Sequence, residues 1–75
     1  MARKTAATQA LGRAIREVRL ERGFSQEGFA ARARLDRSYY GAIERGEFNV
    51  SLETMVKLAA GLGVRPSELL RRAGL

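Results

Sequence analysis

The chain has 75 residues, with fourteen lysines and arginines against eight aspartates and glutamates, for a formal charge of +6. This length builds one small domain, and the lack of cysteine and histidine excludes disulfides and the usual metal ligands, so no metal or cofactor is expected. No apolar run is long enough to span a membrane, and the N-terminus lacks a signal-peptide core.

The N-terminal part of the sequence predicts a flexible basic tail over residues 1–7, followed by a domain over residues 8–75. A first helix is expected from about Thr8, because apolar residues recur there at helical spacing. The residues that carry this spacing are Leu11, Ile15, Val18 and Leu20. Gly23 is placed to end the helix in a left-handed conformation.

Two short helices joined by a tight turn are expected next. Ser25 is a good N-cap for a helix over 26–33, and Asp36 for a helix over 37–45. The residues expected to face the core are Phe29, Ala30 and Ala33 in the first and Tyr40 and Ile43 in the second. A short helix held by a rigid partner helix can enter the major groove of DNA, where polar side chains at its start reach base edges.

A fourth helix begins after the cap residue Ser51 and ends at Gly63, and Pro66 suits the first position of a fifth. The apolar residues expected to be buried are Leu52, Met55, Val56, Ala59 and Leu62 in the fourth helix and Leu69 and Leu70 in the fifth. No strand or repeat is apparent. The predicted fold class is therefore all-α, a compact five-helix domain with a helix-turn-helix.

The basic composition points to a nucleic-acid partner. Twelve of the fourteen cations are arginines, whose planar fork of donors suits phosphates and guanine edges. A GC-rich genome would also favour arginine, so charge alone leaves both explanations open. An enzyme fits poorly, because the carboxylates are scattered and the serines are placed as helix caps or groove contacts rather than beside a base.

Four segments share both sequence and spacing with one known family. They are Phe24-Ser25-Gln26-Glu27, Leu35-Asp36-Arg37-Ser38-Tyr39-Tyr40, Ile43-Glu44-Arg45-Gly46 and Asn49-Val50-Ser51-Leu52. Over about residues 11–71 the chain resembles the XRE family of Cro and phage-repressor type helix-turn-helix regulators. The resemblance implies a lambda-repressor-like fold that binds double-stranded DNA as a homodimer on a palindromic operator.

The resemblance also implies roles for individual residues. By position, it implies base contacts from Arg37, Ser38 and Tyr39, with Ala42 one turn further along. It implies contacts with the DNA backbone from Gln26, Arg45 and Asn49. It implies a structural salt bridge between Arg19 and Glu44. Arg37 has two possible contacts, a bidentate pair with guanine or a phosphate clamp, since phosphate contacts outnumber base contacts at such interfaces.

Two positions depart from the family pattern. Arg34 stands in the turn where the family usually has a glycine in the left-handed conformation. This conformation costs a non-glycine residue about 1 kcal/mol. We therefore expect a slightly reshaped turn. Val50 stands where proline is frequent. The second change is expected to alter loop stiffness more than function.

Among regulators of this size, the segments Leu35-Asp36-Arg37-Ser38-Tyr39 and Ile43-Glu44-Arg45-Gly46 most resemble those of restriction–modification controllers, which we therefore rank ahead of phage-type repressors and antitoxins. A cytoplasmic, nucleoid-associated protein is expected, with no membrane partner and no small-molecule ligand, since the chain leaves no room for a ligand-sensing domain. The residues expected at the dimer interface are Val64, Leu69, Leu70 and Leu75. Two alternatives stay open: an antitoxin-type protein-interaction module with secondary DNA binding, and a protein that coats nucleic acid without sequence preference.

Overall fold

The computed structural model describes residues 4–75, which form five helices and no strand. The helices are α1 Ala6–Glu21, α2 Gln26–Arg32, α3 Arg37–Glu44, α4 Leu52–Leu62 and α5 Pro66–Arg72. The predicted all-α fold with a helix-turn-helix is confirmed. Within the described part of the chain, no helix combines the length and the apolar composition needed to cross a membrane.

Local cap chemistry sets most of the helix ends. The side-chain oxygens of Ser25, Asp36 and Ser51 each accept a hydrogen bond from the backbone N–H three residues later, at 2.9 Å, 3.1 Å and 3.0 Å. Gly23 and Gly63 follow α1 and α4 with φ angles of +79° and +76°, the left-handed region that glycine adopts without strain. These predicted caps and stops are confirmed.

The start of α1 differs from the sequence prediction. Thr5 and Thr8 form a capping box, in which each side chain accepts a hydrogen bond from the other residue's backbone N–H. The helix therefore begins at Ala6, and the predicted boundary between tail and domain at residue 8 falls inside it. The prediction began too late because this first turn carries threonine and alanine rather than apolar residues at helical spacing. Residues 1–3 of the predicted tail lie outside the described residues.

The core lies where all five helices meet. Its fully buried large side chains are Ile15, Val18, Phe29, Tyr40, Ile43, Leu58, Leu62 and Leu69. The rings of Phe29 and Tyr40 are 5.2 Å apart at their centroids and tilted by 55°, a favourable aromatic geometry that joins α2 to α3. The predicted inner faces of α2 and α3 are confirmed.

The predicted inner face of α4 is partly wrong. Leu52 and Val56 are 73% and 51% exposed, whereas Leu58, which the prediction omitted, is fully buried. Apolar side chains surround more than one side of α4, so their spacing alone could not identify the buried side. Leu20 at the end of α1 is likewise exposed, at 55%.

Two glycines bring α1 into direct contact with the end of α3. A Cβ atom at Gly12 would overlap the backbone carbonyls of Ile43 and Glu44, and one at Gly46 would overlap the backbone of Gln9. The Thr8 hydroxyl adds a 2.7 Å hydrogen bond to the carbonyl of Gly46. These backbone-level contacts fix the orientation of α3 on α1.

The turn between α2 and α3 gives a stability prediction. Arg34 has a φ of +59° and is the one non-glycine residue with a positive φ among residues 4–75. We expect Arg34→Gly to raise the free energy of unfolding by up to about 1 kcal/mol, because relief of the left-handed strain exceeds the added freedom of the unfolded chain. Urea unfolding checks this. Ala31→Gly, on the exposed side of α2, is the control and should destabilise by about 1 kcal/mol. A lower midpoint for Arg34→Gly would contradict the prediction.

Candidate nucleic-acid interface

The start of α3 presents three of the predicted contact residues to solvent. Arg37, Ser38 and Tyr39 are all exposed, and Ala42 is half-buried one turn further along. The Asp36 carboxylate accepts the backbone N–H of Tyr39 and so holds this turn in helical form. Three predicted contact residues therefore stand together at the start of one helix whose other side is buried, and the fourth, Ala42, lies one turn later.

Two further predicted residues meet beside Gly41. A Cβ atom at Gly41 would stand 3.2 Å from Nη1 of Arg45, which is a tight approach, and 3.6 Å from Oε1 of Gln26, which is an ordinary contact, so the missing side chain leaves room chiefly for Arg45. The Gln26 amide donates a 3.1 Å hydrogen bond to Glu44. Arg45 donates a 2.5 Å hydrogen bond from Nε to Glu47, and this pair is exposed to solvent. Gln26 is thus held in place by a hydrogen bond to the buried Glu44, whereas Arg45 lies at the surface.

The loop after α3 is attached to the first turn of that helix by an aromatic pair. Phe48 stacks on Tyr39 with centroids 5.4 Å apart and an angle of 20° between the rings. The neighbouring residue Asn49, which we predicted as a backbone contact, is exposed. Sequence reasoning missed Phe48, and its only signal was an aromatic residue in an otherwise polar loop. The stack brings the loop and the start of α3 onto one surface.

Glu44 lies at the centre of a buried hydrogen-bond network beneath this surface. Its carboxylate accepts bonds from Arg19 Nε at 2.6 Å and Nη2 at 3.2 Å, and further bonds from the Tyr40 hydroxyl and the Gln26 amide. The side chains of Arg19 and Glu44 are only 7% and 3% exposed. Arg19 also donates a 2.7 Å bond to the carbonyl of Phe24. The network joins α1, α2 and α3 through one carboxylate.

The network sets the protonation states of its members. Burial acts to raise the pKa of Glu44, but hydrogen bonds from Arg19, Tyr40 and Gln26 outweigh it, and the pKa lies below its usual value. Burial, together with the bond to Glu44, raises the pKa of Tyr40 well above its usual value. The hydrogen bond to Glu44 likewise raises the pKa of Arg19. At neutral pH the site therefore holds a charged pair and a neutral phenol.

The structure contradicts the predicted dimer interface at Leu69, whose predicted burial in the fifth helix is confirmed, and leaves Val64, Leu70 and Leu75 as predictions. Leu69 is fully buried in its own chain, so it has no surface to offer a partner. Val64 and Leu70 are half-buried against the same core, and Leu75 is 61% exposed. The sequence suggested an interface here because α5 and the residues beside it carry more apolar side chains than a small core needs, but one of the two leucines of α5, Leu69, is fully buried in the core. Two other apolar side chains, Leu52 and Val56 on α4, are both more than half exposed.

Comparison with known proteins matches most of the chain. A helix-turn-helix family model covers residues 15–69. The control protein C.MunI of a Mycoplasma species is 49% identical over 59 residues, which are 77% of this chain and 80% of that protein. The restriction-modification controller C.AhdI of Aeromonas hydrophila superposes with a TM-score of 0.83 at 46% identity, over 87% of this chain and 98% of that one. SinR, a master regulator of biofilm formation crystallised with DNA, superposes with a TM-score of 0.76 at 34% identity, over 80% of this chain and 97% of that one.

Proposed function

The chain belongs to the XRE-type helix-turn-helix family of DNA-binding transcription regulators, and we propose that it reads a specific operator with the first turn of α3. One observation carries this proposal. Arg37, Ser38 and Tyr39 are exposed together at the start of a helix that the Glu44 network holds rigidly on α1 and α2.

Each exposed side chain suits a different part of a DNA groove. The Arg37 guanidinium matches the paired acceptors O6 and N7 of guanine. The Ser38 hydroxyl can bond a base edge or a phosphate, and the Tyr39 ring can lie against a thymine methyl group. Gln26, Arg45 and Asn49 surround this turn and are placed to bond the phosphate backbone, which fixes register without reading sequence.

Among regulators of this family, we propose a controller of a restriction–modification system. The similarity to C.MunI and C.AhdI, both named as control or controller proteins, supports this role. Such a regulator would bind DNA upstream of its own gene. Gel-shift assays with that upstream region and with a scrambled duplex test autoregulation, and equal affinity for the two duplexes would contradict it.

A binding selection on randomised duplex DNA tests the proposed operator recognition. We expect a palindromic motif whose half-sites are about one helical turn, roughly 34 Å, apart. Failure to enrich any motif would contradict operator reading. Uniform, strongly salt-dependent binding would then indicate non-specific coating, and weak binding throughout would favour an antitoxin-type interaction module.

We propose that the protein acts as a homodimer through an apolar strip on α4. Leu52 and Val56 are four residues apart, so they lie on one side of the helix, and both are largely exposed. A two-fold interface places the same strip of each copy against the other, which makes a continuous apolar surface from a pair of side chains. We propose this strip instead of the interface that the sequence suggested around α5, because Leu69 is buried in its own chain.

A charge placed in the strip should separate the dimer. We expect Val56→Lys to raise the dimer dissociation constant by at least about a hundredfold, because two apolar side chains leave the interface and two like charges meet there. Sedimentation at a series of concentrations measures the constant. Leu20→Lys is the control, since Leu20 is 55% exposed but lies on α1. Equal dissociation constants for wild type and Val56→Lys would place the interface elsewhere.

A further inference from the structure

A basic pocket lies between the end of α2, the turn that follows it, and α4. Its volume is about 400 Å³, and its lining residues are Arg32, Ala33, Arg34, Lys57, Ala60 and Gly61. Three of these residues are cations and none is acidic, so the pocket concentrates positive charge. The base-reading turn of α3 does not include any of them.

Arg32 is held in a fixed position beside the basic pocket. Its Nε donates a 2.9 Å hydrogen bond to the carbonyl of Gly61, and its Cζ lies 5.2 Å from the centroid of the Phe24 ring. These interactions use Nε and place the guanidinium group over the ring. The terminal Nη groups are therefore available as oriented donors, and holding them costs little additional side-chain entropy.

The other two cations have no acidic partner within the part of the chain that the structure describes. Neither Arg34 nor Lys57 takes part in an ion pair there. Arg34 also keeps a left-handed backbone that glycine would adopt without strain. A strained residue whose side chain makes no internal ion pair is a candidate for an external contact.

We propose that the basic pocket binds a phosphate group. The arginine forks match phosphate oxygens, the lysine adds a third charge, and no carboxylate repels the ligand. Ala33, Ala60 and Gly61 leave apolar space beside the cations for the organic part of a phosphate ester. Two sources supply this group, the backbone of DNA and a free phosphorylated small molecule, and the second would overturn the expectation that no small molecule binds.

A titration with inorganic phosphate tests the pocket itself. Amide NMR signals of Ala33, Arg34 and Gly61 should shift saturably with phosphate but not with chloride at matched ionic strength. Arg34→Gly and Lys57→Gln should each weaken phosphate binding about tenfold. A weaker phosphate affinity of Arg34→Gly would not reflect loss of folding, because we expect glycine to relieve the strain at position 34. Arg16→Gln, which removes an exposed charge on α1, is the matched control and should leave the affinity unchanged.

A second measurement separates the two phosphate sources. If DNA phosphates occupy the basic pocket, the slope of log K against log salt for a duplex of arbitrary sequence should fall by about 0.9 for each phosphate that Arg34→Gly or Lys57→Gln no longer neutralises. An unchanged slope together with saturable phosphate shifts would assign the pocket to a free phosphate ester. Neither measurement needs an operator, so both can succeed even if operator recognition fails.

Two outcomes would overturn the proposal. One is that phosphate shifts and salt slopes are the same in the pocket variants as in Arg16→Gln, which would show that the cations only attract diffuse counterions. The other is saturable binding of polyglutamate at the same amides without any phosphate response, which would make the pocket a site for an acidic polypeptide.

Discussion

Replacing Arg37 with alanine should weaken specific operator binding by about 1–3 kcal/mol, roughly fivefold to 150-fold, and blur one base position in each half-site. The reason is the exposed place of Arg37 at the first position of α3, where a guanidinium can reach the two acceptors of one guanine. The selection on randomised duplexes, repeated with Arg37→Ala, measures the loss of base preference. Arg16→Ala removes the same charge from α1 and should leave the motif intact.

The same experiment decides between the two interactions open to Arg37. If its partner is a phosphate, Arg37→Ala will bind all sequences more weakly by a similar factor, and the salt slope will fall by about 0.9 with no blurred position. If its partner is a base, the motif changes, and the affinity for non-specific duplex falls much less than the affinity for the operator. Unchanged motif and affinity in Arg37→Ala would exclude both interactions and contradict the proposed role of α3.

The parts of the fold that depend on neighbouring residues were predictable from the sequence. Ser25, Asp36 and Ser51 cap their helices through bonds to residues three positions away, so a short window of sequence contains all the partners. The exposed turn after Asp36 follows from that cap and from the burial of Tyr40 and Ile43 on the other side of α3. The start of α1 was missed for a related reason, since its cap uses two threonines instead of a conventional pattern.

The sequence predicted the burial of Ala59, Leu62 and Leu69 correctly, but which other apolar side chains of α4 and α5 are buried depends on packing between helices. Leu52 and Leu58 are equally apolar, yet one is 73% exposed and the other fully buried, because only one side of α4 meets the core. Leu69 is predicted both as a buried residue and as an interface residue, because its spacing cannot show whether its own chain already covers it, and the structure confirms the first. Packing, rather than composition, distinguishes a core leucine from an interface leucine.

The network beneath the candidate site was only partly visible from the sequence. Arg19 and Glu44 are 25 residues apart, and the family resemblance, rather than any local pattern, suggested their pairing. That Gln26 also bonds Glu44 could not be seen, because the resemblance implied for Gln26 only a role outside the fold. The structure makes these residues one unit, so Gln26, which we propose contacts DNA, is hydrogen-bonded to the buried pair that joins α1 and α3.

Removing Glu44 should be strongly destabilising. In Glu44→Ala the Arg19 guanidinium, the Tyr40 hydroxyl and the Gln26 amide all lose a buried partner, at a cost of about 3–5 kcal/mol. A domain of this size has a total stability of about the same magnitude, so we expect Glu44→Ala to be largely unfolded at room temperature. Circular dichroism and urea unfolding measure this. Glu17→Ala, on the exposed side of α1, should be nearly neutral.

The pH dependence of stability follows from the same network. Because the folded pKa of Glu44 lies below its unfolded value of about 4.3, its contribution is fully present above that value and is lost as the pH falls through the folded pKa. Tyr40 behaves in the opposite sense, because its pKa is raised: its contribution is present below about pH 10 and is lost as the pH rises from there towards the folded pKa. Urea midpoints should therefore fall at both ends, and a flat profile below pH 4 would contradict the assignment.

A double variant separates the stabilising role of the network from its role in DNA binding. Replacing both Arg19 and Glu44 with leucine leaves no unpaired buried charge, so we expect Arg19→Leu/Glu44→Leu to recover most of the stability that Glu44→Ala loses. Gln26 would still lack the carboxylate that orients its amide, and operator affinity should remain lower than that of wild type. Full recovery of both stability and affinity would show that the buried pair stabilises the fold and has no separate role in DNA binding. Recovery of stability without affinity would show that Glu44 also positions Gln26 for the phosphate backbone.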